Sequence, residues 1–192
     1  MLTRQVLAIP PLFPSSSMKN IVLIGFMGTG KTTIGRLLAS RLGRPFVDCD
    51  KKVEYENGMS IREIFERYGE GYFRQKETEM IARLSRYNNA VIATGGGVVL
   101  SSENMRRLKR NGIIIALTAS AETILERTGR RNTRPLLDFI EREQIVAKLL
   151  RERGELYQKA DFTIDTNGNS PQHVITEIMI FLRQAGYLRG RG

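Results

Sequence analysis

Residues 25–32 combine three glycines with one lysine and two threonines in a pattern suited to binding phosphate. They read GFMGTGKT, fit the spacing G-x-x-x-x-G-K-[ST], and directly follow the apolar run 21–24. Glycines tolerate positive φ, so backbone N–H groups can turn toward an anion, and the following helix points its positive dipole end at the same place. We expect Lys31 to contact the β- and γ-phosphates of a nucleotide and Thr32 to bind Mg²⁺.

Two carboxylates follow the next apolar run. Asp48 and Asp50 stand two residues apart after Val47, so in an extended chain their side chains would project to the same side. One could hold Mg²⁺ opposite Thr32, and the other could bind an acceptor hydroxyl and take its proton. The residues alone leave open the alternative that one of them only caps the following helix.

Two further features could serve an anionic acceptor. Arg74 and Glu77 are three residues apart, the spacing of one helix face, where they would form either a surface ion pair or a guanidinium ready to bind a carboxylate. Residues 95–97 are all glycine and follow the apolar run 90–94. They would let a ligand approach backbone N–H groups closely, unless they form only a flexible turn.

The hydrophobic pattern predicts the elements that must position these residues. Short apolar, β-branched runs alternate with segments of helical periodicity, which is typical of a parallel sheet covered by helices on both faces. The runs are 21–24, 45–47, 90–94, 113–117 and 162–164. We therefore expect a doubly wound α/β fold with five parallel strands, in which ligands gather at the strand carboxyl ends.

Two segments differ from ordinary sheet-covering helices. Residues 51–84 mix apolar positions with glycines at 58, 69 and 71, which predicts two or three short helices capping the acceptor side. Residues 127–138 concentrate four arginines around one glycine and one proline, a composition that favours a mobile cationic lid.

Composition bounds the class of protein. A chain of 192 residues with 41% hydrophobic content predicts about one domain. The single cysteine, Cys49, excludes an internal disulfide framework and fits a reducing cytoplasm. The net charge of +10 is dispersed among acidic residues rather than gathered in one tract, and no apolar run reaches the roughly 18 residues of a membrane helix. Neither a nucleic acid nor a membrane is therefore an expected partner.

Residues 1–17 differ from the rest of the chain. They contain three prolines and a run of three serines, and a second methionine, Met18, precedes the first predicted strand. We interpret them as a disordered extension, either a weak targeting peptide or a consequence of an upstream start codon. A single domain is expected over residues 18–192.

A phosphate-binding loop alone does not settle the activity, because switches, motors and transporters share it. The chain has no Asn/Thr-Lys-x-Asp guanine motif, and its length favours a small-molecule kinase. A kinase for gluconate or a nucleoside monophosphate is one alternative. A non-catalytic nucleotide-dependent protein that binds nucleic acid or a partner is another, and it would bind with a steep salt dependence.

The combined motifs resemble the shikimate kinase family. GFMGTGKTT, FVDCD, FRxxE, ATGGG, RPLL and IDT occur in this order and cover the chain from about Lys19 to the C-terminal helix. The resemblance implies a P-loop kinase fold and transfer of the γ-phosphoryl group of ATP to the 3-hydroxyl of shikimate. The products would be shikimate 3-phosphate and ADP, in the chorismate pathway of aromatic amino acid biosynthesis. It also implies one Mg²⁺ bound with ATP, a cytoplasmic location and a monomer.

The resemblance assigns roles to individual residues. Asp50 would bind the shikimate hydroxyls and act as the candidate base, Asp48 would support Mg²⁺ with Thr32, and Glu77 would orient Arg74. The catalytic set is Lys31, Asp50 and Arg134, the last closing over the phosphates from the lid. The nucleotide set is Gly28, Thr29, Gly30, Lys31, Thr32, Thr33, Arg127 against adenine, and Arg134, with residues 164–171 as the adenine loop. The shikimate set is Asp50, Arg74, Gly95, Gly96, Gly97, Arg153, Phe65 and Phe73, with the acceptor region spanning about 49–84.

Overall fold

Five parallel strands form the centre of the fold. The structure is a computed structural model that describes residues 19–129 and 139–188, with side chains described except at 139–142. The strands are β1 (Asn20–Gly25), β2 (Phe46–Asp48), β3 (Val91–Ala93), β4 (Gly112–Thr118) and β5 (Phe162–Asp165). Their order in the sheet is β2-β3-β1-β4-β5. The five predicted strands and the doubly wound class are confirmed. The proposed extension 1–17 and lid residues 130–138, including Arg134, lie outside the described residues.

Helices connect consecutive strands. They are α1 (Lys31–Leu42), α2 (Cys49–Asn57), α3 (Ile61–Leu84), α4 (Ser102–Arg110), α5 (Ala121–Gly129), α6 (Phe139–Tyr157) and α7 (Pro171–Gln184), with a 3₁₀ turn at Val98–Leu100. In the part of the chain that the structure describes, no helix has the length and apolar character needed to cross a membrane.

Alternate residues of the central strands β1 and β4 pack into two separate cores, one on each face of the sheet. Ile21 and Leu23 of β1 pack with residues of α1 and α7. Val22 and Ile24 belong to the opposite core, to which α2 and α3 contribute residues. Burial on both faces explains why β1 is a continuous apolar run rather than an alternating one.

Local signals set the boundaries of the helical cap between β2 and β3. Gly58 has a φ of 63° and ends α2, and Ser60 begins α3 through a capping box with Glu63. Gly69, with a φ of 80° and a ψ of 171°, breaks α3 into two helical segments. The expectation of two or three short helices in this region is therefore confirmed.

Strand register brings the ends of neighbouring strands level. Leu23 of β1 and Asp48 of β2 both pair with Ala93 of β3, and Thr118 of β4 pairs with Asp165 of β5. The loops that leave these strands therefore emerge side by side at the carboxyl edge of the sheet.

Candidate active site

A cavity of about 1010 Å³ lies along this carboxyl edge. Its wall is formed by residues that follow four strands: the P-loop (residues 25–32) after β1, Asp48 and Asp50 at β2, the glycines after β3, and the loop after β5. Residues from α3 and α6 close its other side. The predicted crevice is thus present, and it contains all the site residues predicted within the described part of the chain, Phe65 and Thr33 included.

Lys31 lies over the P-loop. Its Nζ donates to the carbonyl oxygens of Gly25 at 2.8 Å and Phe26 at 2.9 Å, and Gly28 and Gly30 have φ values of 81° and 96°. Burial lowers the pKa of the Lys31 ammonium to about 8, although the nearby aspartates act in the opposite direction. The loop carbonyl oxygens therefore hold the Lys31 ammonium at the N-terminus of α1.

Asp48 both caps α2 and contacts the P-loop. Its Oδ1 accepts a hydrogen bond from the backbone N–H of Lys51 at 3.2 Å, which caps α2. Its Oδ2 accepts a hydrogen bond from Oγ1 of Thr32 at 2.8 Å. Capping thus fixes the carboxylate where it meets the P-loop threonine.

Asp50 reaches the cavity by a geometry that differs from the expected one. Asp48 ends β2, but Asp50 lies in the first turn of α2, so the two side chains do not share one face of an extended strand. Both line the cavity nevertheless. The pKa of Asp50 is raised to about 6, first by burial and then by Asp48, while Lys31 opposes the shift. Its Oδ1 is buried and has no hydrogen-bond partner among the described residues.

Arg74 and Glu77 form a pair that is largely withdrawn from solvent. Nη1 of Arg74 donates to Oε2 of Glu77 at 2.8 Å, and the Glu77 side chain is 1% exposed. The other carboxylate oxygen, Oε1, is buried without a partner among the described residues. The Phe73 ring lies 5.2 Å from the Arg74 guanidinium and 5.0 Å from the Phe65 ring. The alternative of an ordinary surface ion pair is therefore wrong.

The glycines after β3 permit close contact with these charged groups. A Cβ built on Gly97 would overlap the Arg74 guanidinium, and one on Gly95 would lie 2.6 Å from Oε1 of Glu77 and 2.7 Å from Oδ1 of Asp50. Real Cβ atoms essentially never approach so closely. Space for the charged side chains, rather than flexibility of a turn, explains the absence of side chains here.

Arg153 enters the cavity from α6. Its Nη1 donates to the carbonyl oxygen of Gly96 at 3.4 Å, and its guanidinium lies 5.8 Å from the Phe26 ring. Nε is buried without a partner among the described residues. Tyr157, one helical turn later, donates its hydroxyl to the same Gly96 oxygen at 2.6 Å, and burial raises its pKa to about 12.

Arg127 connects the P-loop with the loop after β5. It donates to the carbonyl oxygens of Gly28 at 3.3 Å and Thr166 at 2.7 Å, and to Oγ1 of Thr166 at 3.0 Å. Residues 127–129 belong to α5, so the start of the predicted lid is wrong. The arginine is held by helix packing because it lies in the last turn of α5.

The protein resembles known sequences and structures over most of its length. The family model described as shikimate kinase matches residues 27–183. A shikimate kinase of Thermodesulfovibrio yellowstonii is 52% identical over 162 residues, which are 84% of this chain and 94% of that protein. One of Caldanaerobacter subterraneus is 48% identical, with 84% and 95% covered.

A solved structure agrees with these sequences. The shikimate kinase of Acinetobacter baumannii in complex with shikimate matches with a TM-score of 0.82 and 39% identity, covering 89% of this chain and 96% of that one. The chain belongs to the shikimate kinase family. The P-loop kinase fold inferred from the resemblance is confirmed.

Membership of the shikimate kinase family establishes the activity. The chain is a small-molecule kinase that transfers the γ-phosphoryl group of ATP to the 3-hydroxyl of shikimate, a step of the chorismate pathway. Its substrates are ATP and shikimate. The alternatives of another acceptor or of a non-catalytic binding protein are therefore not retained.

Three contacts in the cavity of this shikimate kinase were missed by sequence reasoning. Glu70, four residues before Arg74, binds the guanidinium of that arginine. Tyr157, four residues after Arg153, holds the Gly96 carbonyl. The spacing of four residues from a predicted arginine was a usable signal in both cases, because such residues share a helix face. Thr166 lay in a predicted loop, but nothing local indicated that it contacts Arg127.

Proposed function

We propose that the two halves of the cavity divide the kinase reaction between them. A donor half, formed by the P-loop, Arg127 and the loop after β5, holds ATP. An acceptor half, formed by parts of α2, α3, α6 and residues 95–97, holds shikimate. The observation that carries this division is the position of three buried polar atoms without partners among the described residues: Asp50 Oδ1, Glu77 Oε1 and Arg153 Nε.

These three atoms match the chemistry of a polyhydroxylated acid. The two carboxylate oxygens can accept hydrogen bonds from hydroxyl groups, and the guanidinium N–H can donate to a carboxylate. Leaving such atoms buried and unpaired costs about 1–3 kcal/mol each, so a ligand that pairs them gains binding free energy. Shikimate supplies both kinds of partner.

Asp50 is the residue that we assign to the reacting hydroxyl. Phosphoryl transfer passes through a loose transition state with little bond formation to the nucleophile, so orientation of the hydroxyl matters more than early proton removal. A carboxylate with a pKa of about 6 is ionised at neutral pH and can still accept the proton late. We assign the carboxylate of shikimate to Arg74 and Arg153, and the walls of its pocket to Phe65 and Phe73.

In the donor half we assign the phosphates of ATP to the loop N–H groups and to Lys31. The loop set is Gly28, Thr29, Gly30, Lys31, Thr32 and Thr33. Arg127 and residues 164–171 are assigned to adenine because Arg127 bonds both Gly28 and Thr166. Arg134 is assigned to the transferring phosphoryl group by family resemblance alone, since it lies outside the described residues.

Thr32 and Asp48 fit a Mg²⁺ ion bound with ATP. Mg²⁺ in kinases is held by one or two protein groups and by substrate phosphates rather than by an all-protein cage. A hydroxyl and a carboxylate 2.8 Å apart beside the P-loop provide such oxygens. When bound, the ion would supply positive charge against the negative charge that develops on the phosphates during transfer.

We further propose that the enzyme acts as a cytoplasmic monomer with one domain over residues 18–192. The support is that every site residue in the described part of the chain comes from one polypeptide and surrounds one cavity. Light scattering coupled to size exclusion should give the mass of a single chain, and a larger mass would overturn the monomer.

The assignment is tested by acceptor-dependent turnover. ADP release from Mg²⁺–ATP is measured with shikimate, gluconate or AMP and with no acceptor, and the product is identified by mass. Shikimate 3-phosphate formed only in the shikimate reaction, and only with Mg²⁺ present, supports the proposal. ADP release that is equally fast without an acceptor, or a different phosphorylated product, overturns the acceptor assignments.

A further inference from the structure

The guanidinium of Arg74 has three edges, and each has a neighbour. Nη1 donates to Glu77 at 2.8 Å. The edge formed by Nη1 and Nη2 faces Gly97, where a Cβ would overlap both nitrogens. The remaining edge, formed by Nε and Nη2, donates to one oxygen of Glu70 at 3.1 and 2.8 Å.

The edge held by Glu70 is the one best suited to a substrate carboxylate. Two parallel N–H donors match the two oxygens of a carboxylate, which makes this fork the strongest anion site of an arginine. The Nη1/Nη2 edge of the guanidinium lies against Gly97. The Nε/Nη2 edge is therefore the one available to bind both oxygens of a carboxylate. In this structure the carboxylate of Glu70 lies at that fork.

Glu70 is free to leave this position. Its side chain is 61% exposed, whereas that of Arg74 is 30% exposed. Gly69 interrupts α3 immediately before it, so Glu70 begins the second helical segment. A change in its χ angles toward solvent breaks no backbone hydrogen bond of the helix.

We propose that Glu70 acts as an internal substitute for the substrate carboxylate. It holds the Arg74 fork in place while the acceptor half is empty, and shikimate must displace it to bind. The proposal rests on the assignment of Arg74 to the shikimate carboxylate. Because two carboxylates repel each other on one guanidinium edge, the observed affinity for shikimate is the intrinsic affinity reduced by this exchange.

The chain contains a matched control for this contact. Arg62 and Glu66 form an ion pair at 2.7 Å with the same spacing of four residues, and Glu66 is 57% exposed. Glu66 does not line the cavity. Glu66→Gln therefore removes the same charge from the same helix without altering the Arg74 fork.

Calorimetric titration in the absence of ATP tests the proposal, with shikimate and its uncharged methyl ester as ligands. Glu70→Gln should lower the Kd for shikimate by about two- to fivefold, the range of exposed ion pairs. Glu70→Ala should lower it at least as much. The methyl ester should bind both variants and the wild type alike, and Glu66→Gln should leave both ligands unchanged.

The outcomes separate this inference from the assigned function. An unchanged or raised Kd for shikimate in both Glu70 variants, with wild-type turnover of shikimate intact, would mean that Glu70 only orients Arg74. A tighter methyl ester in the same variants would mean that the effect does not depend on the carboxylate. Wild-type protein that neither binds nor phosphorylates shikimate would overturn the proposed function and this inference together.

Discussion

The donor and acceptor halves of the cavity differ in how far their polar side-chain atoms are hydrogen-bonded within the protein. In the donor half, Lys31, Thr32 and Arg127 already have hydrogen-bond partners in the protein. In the acceptor half, Asp50 and Glu77 each have one buried oxygen without a partner among the described residues, and Arg153 has such a nitrogen. Three of the five buried side-chain atoms that lack a partner among the described residues thus lie where the smaller substrate is assigned. The other two, on Asn89 and Asn104, lie outside the cavity.

This difference reflects how each half is built. The P-loop is one short segment whose geometry is fixed by local backbone bonds and by the start of α1. The acceptor half gathers side chains from α2, α3 and α6 around three glycines, and their positions depend on packing between distant segments. A donor site of this kind is preorganised, whereas the proposed acceptor site keeps buried polar atoms unpaired, at a free-energy cost that a hydrogen-bonding ligand would offset.

The largest expected effect comes from a substitution in the acceptor half that replaces one carboxylate oxygen. Asp50→Asn should lower kcat by about 10²- to 10⁴-fold, because the amide can neither orient the hydroxyl as a carboxylate does nor take its proton. The Kd for ATP should stay within about twofold, since Asp50 acts on Lys31 only through its charge and forms no hydrogen bond with it. Steady-state kinetics and nucleotide titration measure both quantities. Near-wild-type turnover would remove Asp50 from the reaction.

The next largest effect is expected from a substitution that crowds the acceptor half. Gly97→Ala places a methyl group on the Arg74 guanidinium and should lower kcat/KM for shikimate by about 100-fold through misplacement of that group. Gly71→Ala is the control, because a Cβ at Gly71 meets nothing within 4 Å. If the two variants had equal kcat/KM values, the close approach of Gly97 to Arg74 would not matter for binding.

A donor-half change should have a smaller effect confined to the other substrate. Arg127→Ala removes charge-assisted hydrogen bonds to Gly28 and Thr166 and should raise the KM for ATP by about tenfold. The KM for shikimate should change little. Kinetics with each substrate varied in turn provide the measurement, and an equal rise in both KM values would contradict the separation of the halves.

The last expected effect concerns stability and its dependence on pH rather than turnover. The pKa of Asp50 in the folded protein, about 6, lies above its ordinary value of 3.8. Its ionised form therefore destabilises the fold above pH 6, and this penalty vanishes below about pH 4. Asp50→Asn should therefore raise the free energy of unfolding of the ligand-free protein at pH 8 by about 1–3 kcal/mol. Denaturant titrations at pH 8 and pH 4 compare the variants. A destabilised variant at pH 8 would show that the acceptor half is not strained.

The fold could be predicted from the sequence because the patterns that indicate strands and helices are local or periodic. The buried strands are continuous apolar runs, and Gly43, with a φ of 64°, ends α1 in the conformation that favours glycine. Asp50 was correctly predicted to line the cavity, but it does so from the first turn of α2 rather than from an extended strand. Because Asp48 caps α2, the helix begins at Cys49, and Asp50 is already helical rather than extended.

Contacts between distant segments could not be predicted in the same way. The bond from Arg127 to Thr166 joins α5 to the loop after β5, and no spacing rule connects residues 39 positions apart. Similarly, the burial of Glu77 depends on packing of α3 against the sheet. The sequence indicated which residue types were present, but only tertiary structure determines which of their atoms lack partners.

The strand order has a consequence for how this enzyme could change its acceptor. Strand β3 lies between β1, which carries the P-loop, and β2, which ends at Asp48. Adjacent strands are about 4.8 Å apart, so the roots of the two loops are separated by about 10 Å. Backbone hydrogen bonds set this separation, and side-chain substitutions do not alter it. Redesign of α3 for another hydroxy acid could therefore change the acceptor. The distance between the two loops, across which the phosphoryl group is transferred, would stay constant.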